Sequence, residues 1–293
     1  MFSKIIAFFM SIISFFAGLF GIEVFDSSLH KYEDLAYGSH ERQVLDLYIP
    51  KETDGEIGLV LSIHGGAWIA GDKSGYTDMA KSLAKEKGIA TATINYRYLS
   101  EETDMNDILD DIEAAVKCIK ETALAQGVTI NSMITTGHSA GGHLSMLYAY
   151  ARNDDSAIPV AAVVSYAGPT DMLDENFFIN NDLGVENVEL LISWATGEKV
   201  TQANIRNFEQ QIKEISPLYY VTKDTVPTII NHGKADTIVP WSNAVSLVEA
   251  FEAAGAEYVL FTYPNSGHGL DSDKSVSSES DNMFREYIDT FLK

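Results

Sequence analysis

Short apolar runs alternate with helical repeats along most of this chain, and that rhythm restricts its fold more than any other feature. Residues 43–49 alternate apolar and polar side chains in the manner of a half-buried strand. Residues 59–63, 90–95, 132–136, 160–166, 228–230 and 258–263 are short runs dominated by apolar and β-branched residues. Runs of that kind suit strands buried on both faces of a parallel sheet. Between them lie three-and-four spacings of apolar residues. These are Met79, Leu83 and Ala84 within 76–87, and Ile108, Ile112, Ala115, Val116 and Ile119 within 102–125. Ala244, Leu247, Val248 and Phe251 repeat within 242–254, where Ser242 is the expected N-cap and Gly255 the expected stop. Met283, Phe284, Tyr287, Ile288 and Phe291 do the same within 281–292. Regular alternation predicts an α/β fold with a mostly parallel central sheet and helices on both faces. The rhythm breaks over about 171–219, which carries helical fragments with Phe177, Phe178, Leu190, Leu191, Trp194 and Phe208 but no clear strand. We read it as a helical cap insertion over the functional edge of the sheet; helices packed beside the sheet are the alternative.

The first 22 residues are set apart. Residues 5–22 read IIAFFMSIISFFAGLFGI, with only Ser11 and Ser14 polar. As a helix this run would reach about 27 Å, close to the thickness of a bilayer core. Lys4 precedes it, and Glu23 and Asp26 follow. The segment is therefore expected to be a signal peptide or membrane anchor; an amphipathic or buried helix packed on the domain is the alternative. The remaining domain, 23–293, would lie outside the cytoplasm, secreted, periplasmic or held at a membrane by that segment. A chain of 293 residues suits one α/β domain of this kind. Acidic residues outnumber basic ones 42 to 20, a formal charge of −22. Such a surface repels phosphate backbones and argues against nucleic acid as a partner. One cysteine, Cys118, leaves no internal disulfide to form.

Four loops at expected strand ends carry chemistry-bearing residues. Gly137-His-Ser-Ala-Gly141 fits a tight strand-to-helix turn that lifts the hydroxyl of Ser139 clear of the sheet. The helix that follows would point its partial positive charge at a developing oxyanion. His64-Gly-Gly-Ala-Trp68 follows the 59–63 run, and its glycines let backbone N–H groups approach a substrate oxygen. Gly66, Ala67 and Ala140 are the candidate oxyanion donors, with Gly65 in reserve. Asp236, after the 228–230 run, can orient an imidazole, and His268, in Asn265-Ser-Gly-His-Gly269, can reach a serine. Asp171, Asp271 and Asp273 are the carboxylates that could stand in for Asp236. Trp68 and Trp241 could line a substrate pocket or pack in the core. His138, His143 and His232 are expected to be structural. No clustered His/Cys set suggests a metal site, and no metal or organic cofactor is expected.

The residues His64-Gly-Gly-Ala-Trp68, Asn95-Tyr-Arg-Tyr98, Gly137-His-Ser-Ala-Gly-Gly-His143, Ser216-Pro217, His232-Gly-x-x-Asp236 with Val239-Pro240, and Gly267-His268 together resemble the α/β-hydrolase superfamily. Within it they are similar to the acetyl-esterase/lipase group, related to hormone-sensitive lipases and bacterial feruloyl-esterase-like proteins. The resemblance covers about residues 35–293. It implies a serine esterase in which Ser139, Asp236 and His268 form a catalytic triad acting on short-chain, acetyl or aryl esters. Ala67 departs from the third glycine of many hormone-sensitive-lipase relatives and points toward the feruloyl-esterase-like and kynurenine-formamidase-like branches. An amide hydrolase of the same fold, formamidase-like or prolyl-oligopeptidase-like, is the alternative activity. The expected partner is a small-molecule ester substrate, and the oligomeric state stays open.

Overall fold

A computed structural model describes residues 28–53, 55–179 and 181–292. The apolar leader at 1–22 lies outside the described residues. Among the described residues no helix is long and apolar enough to cross a membrane.

Eight strands form one sheet: β1 (Leu29–Ala36), β2 (Val44–Pro50), β3 (Glu56–Ile63), β4 (Ala90–Ile94), β5 (Thr129–His138), β6 (Val160–Tyr166), β7 (Thr228–Gly233) and β8 (Tyr258–Tyr263). Their order is β1-β2-β4-β3-β5-β6-β7-β8. The pairs β1/β2 and β2/β4 are antiparallel, and every pair from β4 onward is parallel. The parallel strands therefore all end at one rim. Neighbouring residues along them divide between two cores, as the two-residue pleat requires. Leu59, Leu61, Met133, Val163 and Ile230 face one core, while Val60, Ile134, Val164 and Ile229 face the other.

Helices cover both faces. On one lie α1 (Thr77–Lys87) and α7 (Lys274–Phe291), which contribute Leu83, Phe284 and Ile288. On the other lie α2 (Met105–Ala125), α3 (Ala140–Ala151) and α6 (Trp241–Ala254). The sequence places α2 at 102–125, but it begins at Met105. There Asp104 and Asp107 close a reciprocal capping box, each side chain accepting from the other's backbone N–H at 3.0 Å. Gly255 stops α6 in the left-handed conformation as expected, with φ of 69°. Its start differs from expectation: Pro240 is the N-cap, and the Ser242 hydroxyl is turned to Asp174 instead. The last helix is longer than the 281–292 pattern implies. Its first turns, from Lys274, are mostly serine, with Val276 the one apolar residue, packed against Tyr263 and Leu270; Ser280 is fully buried.

The polar strand β1 (LHKYEDLA) is absent from the pattern-based reading. An edge strand needs only one paired side and tolerates charges, so it shows little apolar periodicity. The 171–219 segment is helical, as expected. It contains α4 (Val185–Thr196), α5 (Glu209–Glu214) and three 3₁₀ turns, with no strand among its described residues.

Glycines allow β5, β3 and α3 to meet tightly. A Cβ on Gly141 would lie 2.0 Å from the Ile63 carbonyl oxygen, and one on Gly137 would lie 2.4 Å from it. Gly197, the left-handed C-cap of α4, has φ of 72° and open space around it. Gly141→Ala is therefore expected to lower unfolding free energy by about 3 kcal/mol or more, because backbone must move. Gly197→Ala should cost only about 1–2 kcal/mol, the left-handed strain alone. Urea unfolding of both variants tests this; equal costs would contradict it.

Candidate active site

Ser139 sits between β5 and α3 with φ of 58° and ψ of −124°, a strained conformation for a residue with a Cβ. Its backbone N–H donates to the Tyr166 carbonyl at 2.8 Å, and its carbonyl accepts from the His143 N–H at 3.0 Å. Parallel pairing aligns Ile63 with Gly137, so the loop after β3 emerges beside this turn. A Cβ on Gly65 would lie 3.4 Å from the Ser139 Cβ and 2.5 Å from the His138 carbonyl oxygen. Only glycine permits that approach.

Three expected side chains converge at this rim. The His268 Nε2 is 2.9 Å from the Ser139 Oγ, and its Nδ1 is 2.8 Å from the Asp236 Oδ2. The other Asp236 oxygen accepts from the backbone N–H groups of Ile238 and Val239 at 2.8 and 2.9 Å. All three residues are buried, at 4% exposure for Ser139, 6% for His268 and 8% for Asp236. Burial works against the Asp236 carboxylate. The adjoining His268 charge and hydrogen bond, with His232 and the Val239 N–H, outweigh it and hold the group below its ordinary range. A carboxylate kept ionised there can orient the His268 Nδ1–H and stabilise a positive imidazolium.

The competing carboxylates are engaged elsewhere. Asp273 accepts from the Asn265 N–H and Nδ2 and from the Ser266 hydroxyl, which shapes the loop leading to His268. Asp171 accepts from the Leu173 N–H and the Tyr219 hydroxyl. Asp271 meets the Ser272 hydroxyl.

The loop 65–67 lies beside Ser139 in an unusual backbone form, with φ of 118° at Gly66 and 51° at Ala67. The N–H groups of Gly65, Gly66, Ala67 and Ala140 donate to no acceptor among the described residues. Gly66, Ala67 and Ala140 are buried, and buried N–H groups rarely go unpaired, so these donors are free to meet an oxygen placed beside the serine hydroxyl. The two tryptophans diverge. Trp68 is buried, and its Nε1–H donates to the His143 Nδ1 at 3.2 Å. Trp241 lines a cavity of about 380 Å³ together with Asn176, Ile179, Asp236, Thr237, Pro240 and Ser242.

The histidines nearest this rim, half-buried His138 and buried His143 and His232, are bound to backbone carbonyls. His138 Nε2–H donates to the His268 carbonyl at 2.7 Å, and the two rings lie 4.8 Å apart. His143 Nε2–H donates to the Ile215 carbonyl at 2.8 Å, and His232 Nε2–H to the Val239 carbonyl at 2.9 Å. Two contacts escaped sequence reasoning. Arg42 reaches the His64 ring, and the 171–219 segment fastens to the Asp236 loop. Asp182 N–H donates there to the Thr237 carbonyl at 3.0 Å, and the Thr237 hydroxyl to the Asp182 carboxylate at 2.5 Å. Neither contact has a sequence signature, since each joins distant loops. Among the described residues no cluster of His, Cys, Asp or Glu could hold a metal ion.

The strand order, the serine on its turn after β5 and the rim loops define an α/β-hydrolase fold with an esterase-type arrangement. A family model described as BD-FAE matches residues 45–251, and the chain belongs to that family. It is 27% identical over 250 residues to the probable carboxylic ester hydrolase LipM of Mycobacterium tuberculosis, covering 81% of this chain and 56% of that protein. It is 25% identical to the isoprenylcysteine alpha-carbonyl methylesterase ICME of Arabidopsis thaliana, covering 80% and 55%. The chain thus spans a little over half the length of these curated relatives. Among solved structures, a truncated carbohydrate esterase from gut microbiota superposes with a TM-score of 0.72 at 25% identity, covering 90% of this chain and 98% of that one. Esterase B of Lactobacillus rhamnosis shares the fold, with a TM-score of 0.76 at 20% identity over 99% and 94% of the two chains.

Neutral buried histidines make stability depend on pH. Burial is the largest cause that lowers His64, His138 and His143 from an ordinary 6.5 to about 4. Below pH 6.5 the unfolded chain takes up protons that the fold refuses until near pH 4. Stability therefore falls on acidification through that window, by about 1.4 kcal/mol per pH unit per histidine. The depressed Asp236 acts lower: its contribution is present above its unfolded value and lost as pH falls through the folded one. Urea midpoints should drop between pH 7 and pH 5; a flat profile would show that these rings titrate freely in the fold.

Proposed function

We propose that the chain is a serine carboxylic-ester hydrolase acting through an acyl-enzyme on short-chain, acetyl or aryl esters. The continuous hydrogen-bonded line from Ser139 through His268 to Asp236, beside unpaired backbone N–H groups, carries this reading. The names of the relatives support ester hydrolysis, and the gut carbohydrate esterase supports an acylated sugar among the candidate substrates.

His268 Nε2 takes the Ser139 proton as the Oγ attacks the ester carbonyl. Asp236 accepts from the Nδ1–H throughout, which keeps Nε2 free as the base and stabilises the imidazolium. The Gly66, Ala67 and Ala140 N–H groups donate to the tetrahedral oxyanion, with Gly65 against the serine. Each such donor contributes about 2.7–4 kcal/mol to transition-state stabilisation. The imidazolium then returns its proton to the alcohol as the C–O bond breaks. Water, deprotonated by the same nitrogen, cleaves the acyl-enzyme and restores the serine. The cavity beside Trp241 and Ile179 adjoins Asp236, which suits an apolar substituent of modest size.

Fluorophosphonate labelling and p-nitrophenyl acetate hydrolysis test this. Ser139→Ala should abolish both, and Asp236→Asn should lower kcat by about 10⁴-fold, since it favours the wrong imidazole tautomer. Retained labelling in Ser139→Ala would overturn the assignment. A chain that cleaves N-formylkynurenine or a peptide amide but no ester would belong to the amide-hydrolase alternative.

A further inference from the structure

The Gly65–Gly66 peptide needs something to hold its plane. A trans peptide points its C=O and N–H in opposite directions, so fixing the Gly65 oxygen fixes the direction of the Gly66 N–H. The Gly65 oxygen lies 2.8 Å from the His64 Nδ1. On the other side of that ring, the His64 Nε2 lies 3.1 Å from an Arg42 terminal nitrogen. A guanidinium has only donors, so Nε2 is the acceptor and the ring proton sits on Nδ1, where it donates to Gly65. A single neutral tautomer satisfies both contacts.

The surroundings restrict that ring further. His64 stacks on Tyr96 with centroids 4.3 Å apart, and the Tyr96 hydroxyl donates to the His64 carbonyl at 2.9 Å. Gly71 passes so close that a Cβ there would lie 2.2 Å from the Gly65 oxygen and 2.5 Å from the His64 Nδ1. Arg42 is itself fixed. Its Nε–H donates to the Tyr96 carbonyl at 2.8 Å, its terminal nitrogen donates to the Gly71 carbonyl at 3.2 Å, and its guanidinium lies 3.7 Å from the Tyr98 ring centre.

We propose that Arg42 is a positioning residue: through His64 it selects the imidazole tautomer that holds the Gly65 carbonyl and so aims the Gly66 N–H at the oxyanion. This rests on the oxyanion role proposed for Gly66. Arg42 comes from the turn between β1 and β2, so the antiparallel edge of the sheet contributes to a site otherwise built on its parallel part. Arg42 also lines a cavity of about 670 Å³ with Arg97, Tyr98 and Glu102, which gives a small cation a route to its place.

The test uses the full chain with p-nitrophenyl acetate. Arg42→Ala should lower kcat by about 10- to 100-fold, a fraction of the loss for a removed donor, with KM changed by less than about 3-fold. The rate of fluorophosphonate inactivation should fall with kcat. Guanidinium at low millimolar concentration should restore at least about 5-fold of the lost kcat, because it can refill the donor position. In a His64→Ala background, Arg42→Ala should cost less than about 2-fold more, since the route to Gly65 is already cut. Arg42→Lys, which keeps the charge without the fork, is the second variant if the alanine variant does not fold; it should show the same kcat-specific loss. Unchanged kcat in a variant with the native urea midpoint, or a loss that is additive with His64→Ala and not rescued, would overturn the proposal. Such outcomes with labelling still confined to Ser139 would leave the esterase reading standing. Labelling that survives Ser139→Ala would remove that reading first.

Discussion

Van der Waals exclusion at one crossing governs this structure. The turn carrying Ser139 lies directly on the end of β3, and the Ile63 carbonyl oxygen fills the space where side chains at 137 and 141 would stand. That contact sets the serine beside the 65–67 loop and forces its backbone into a positive φ. Strain of this kind persists only where the surrounding packing outweighs it. Here α3 is buried along nearly its whole length and wedges the turn from behind. The hydroxyl, the unpaired N–H groups and the His268 ring then meet as a consequence of backbone packing, before any side-chain hydrogen bond is counted.

Much of this was legible in the sequence, and the reasons are local. Strands β3 to β7 announce themselves because burial on both faces leaves no room for polar alternation, and the half-buried edge strand β8 does so by its apolar composition; residues 160–166 and 258–263 match to the residue. Glycines at 65, 66, 137 and 141 are visible because no other residue meets their steric demand. Ser139, Asp236 and His268 stand at strand ends, where parallel topology brings distant segments together. The illegible parts have equally physical causes. Strand β1 is polar because it is an edge. The extra turns of α7 are rich in serine, with Val276 alone to mark an apolar face. The engagement of the Ser242 hydroxyl depends on Asp174, a residue with no sequence relation to it. Arg42 has no motif of its own; its importance comes from a fold that returns the β1–β2 turn to the neighbourhood of His64.

The rim also gathers neutral histidines around His268. His138, His143 and His232 each give a ring N–H to a main-chain carbonyl, and His64 does so while accepting from Arg42. Their burial disfavours a positive charge, so an imidazolium at His268 has no cationic histidine as neighbour. Under the proposed mechanism, the nearby carboxylate at 236 is then the dominant partner for a charge formed there.

The helical segment between β6 and β7 is tied to a loop well outside it. Its contacts reach the stretch that holds Asp236: Asp182 meets Thr237 on both backbone and side chain, and the Asn181 amide donates to the Ile238 carbonyl. A swap of this segment with that of a relative would thus reach beyond the segment itself. It would exchange the anchorage of the Asp236 carboxylate, so under the proposed function the alignment of the triad would be inherited along with this stretch of chain.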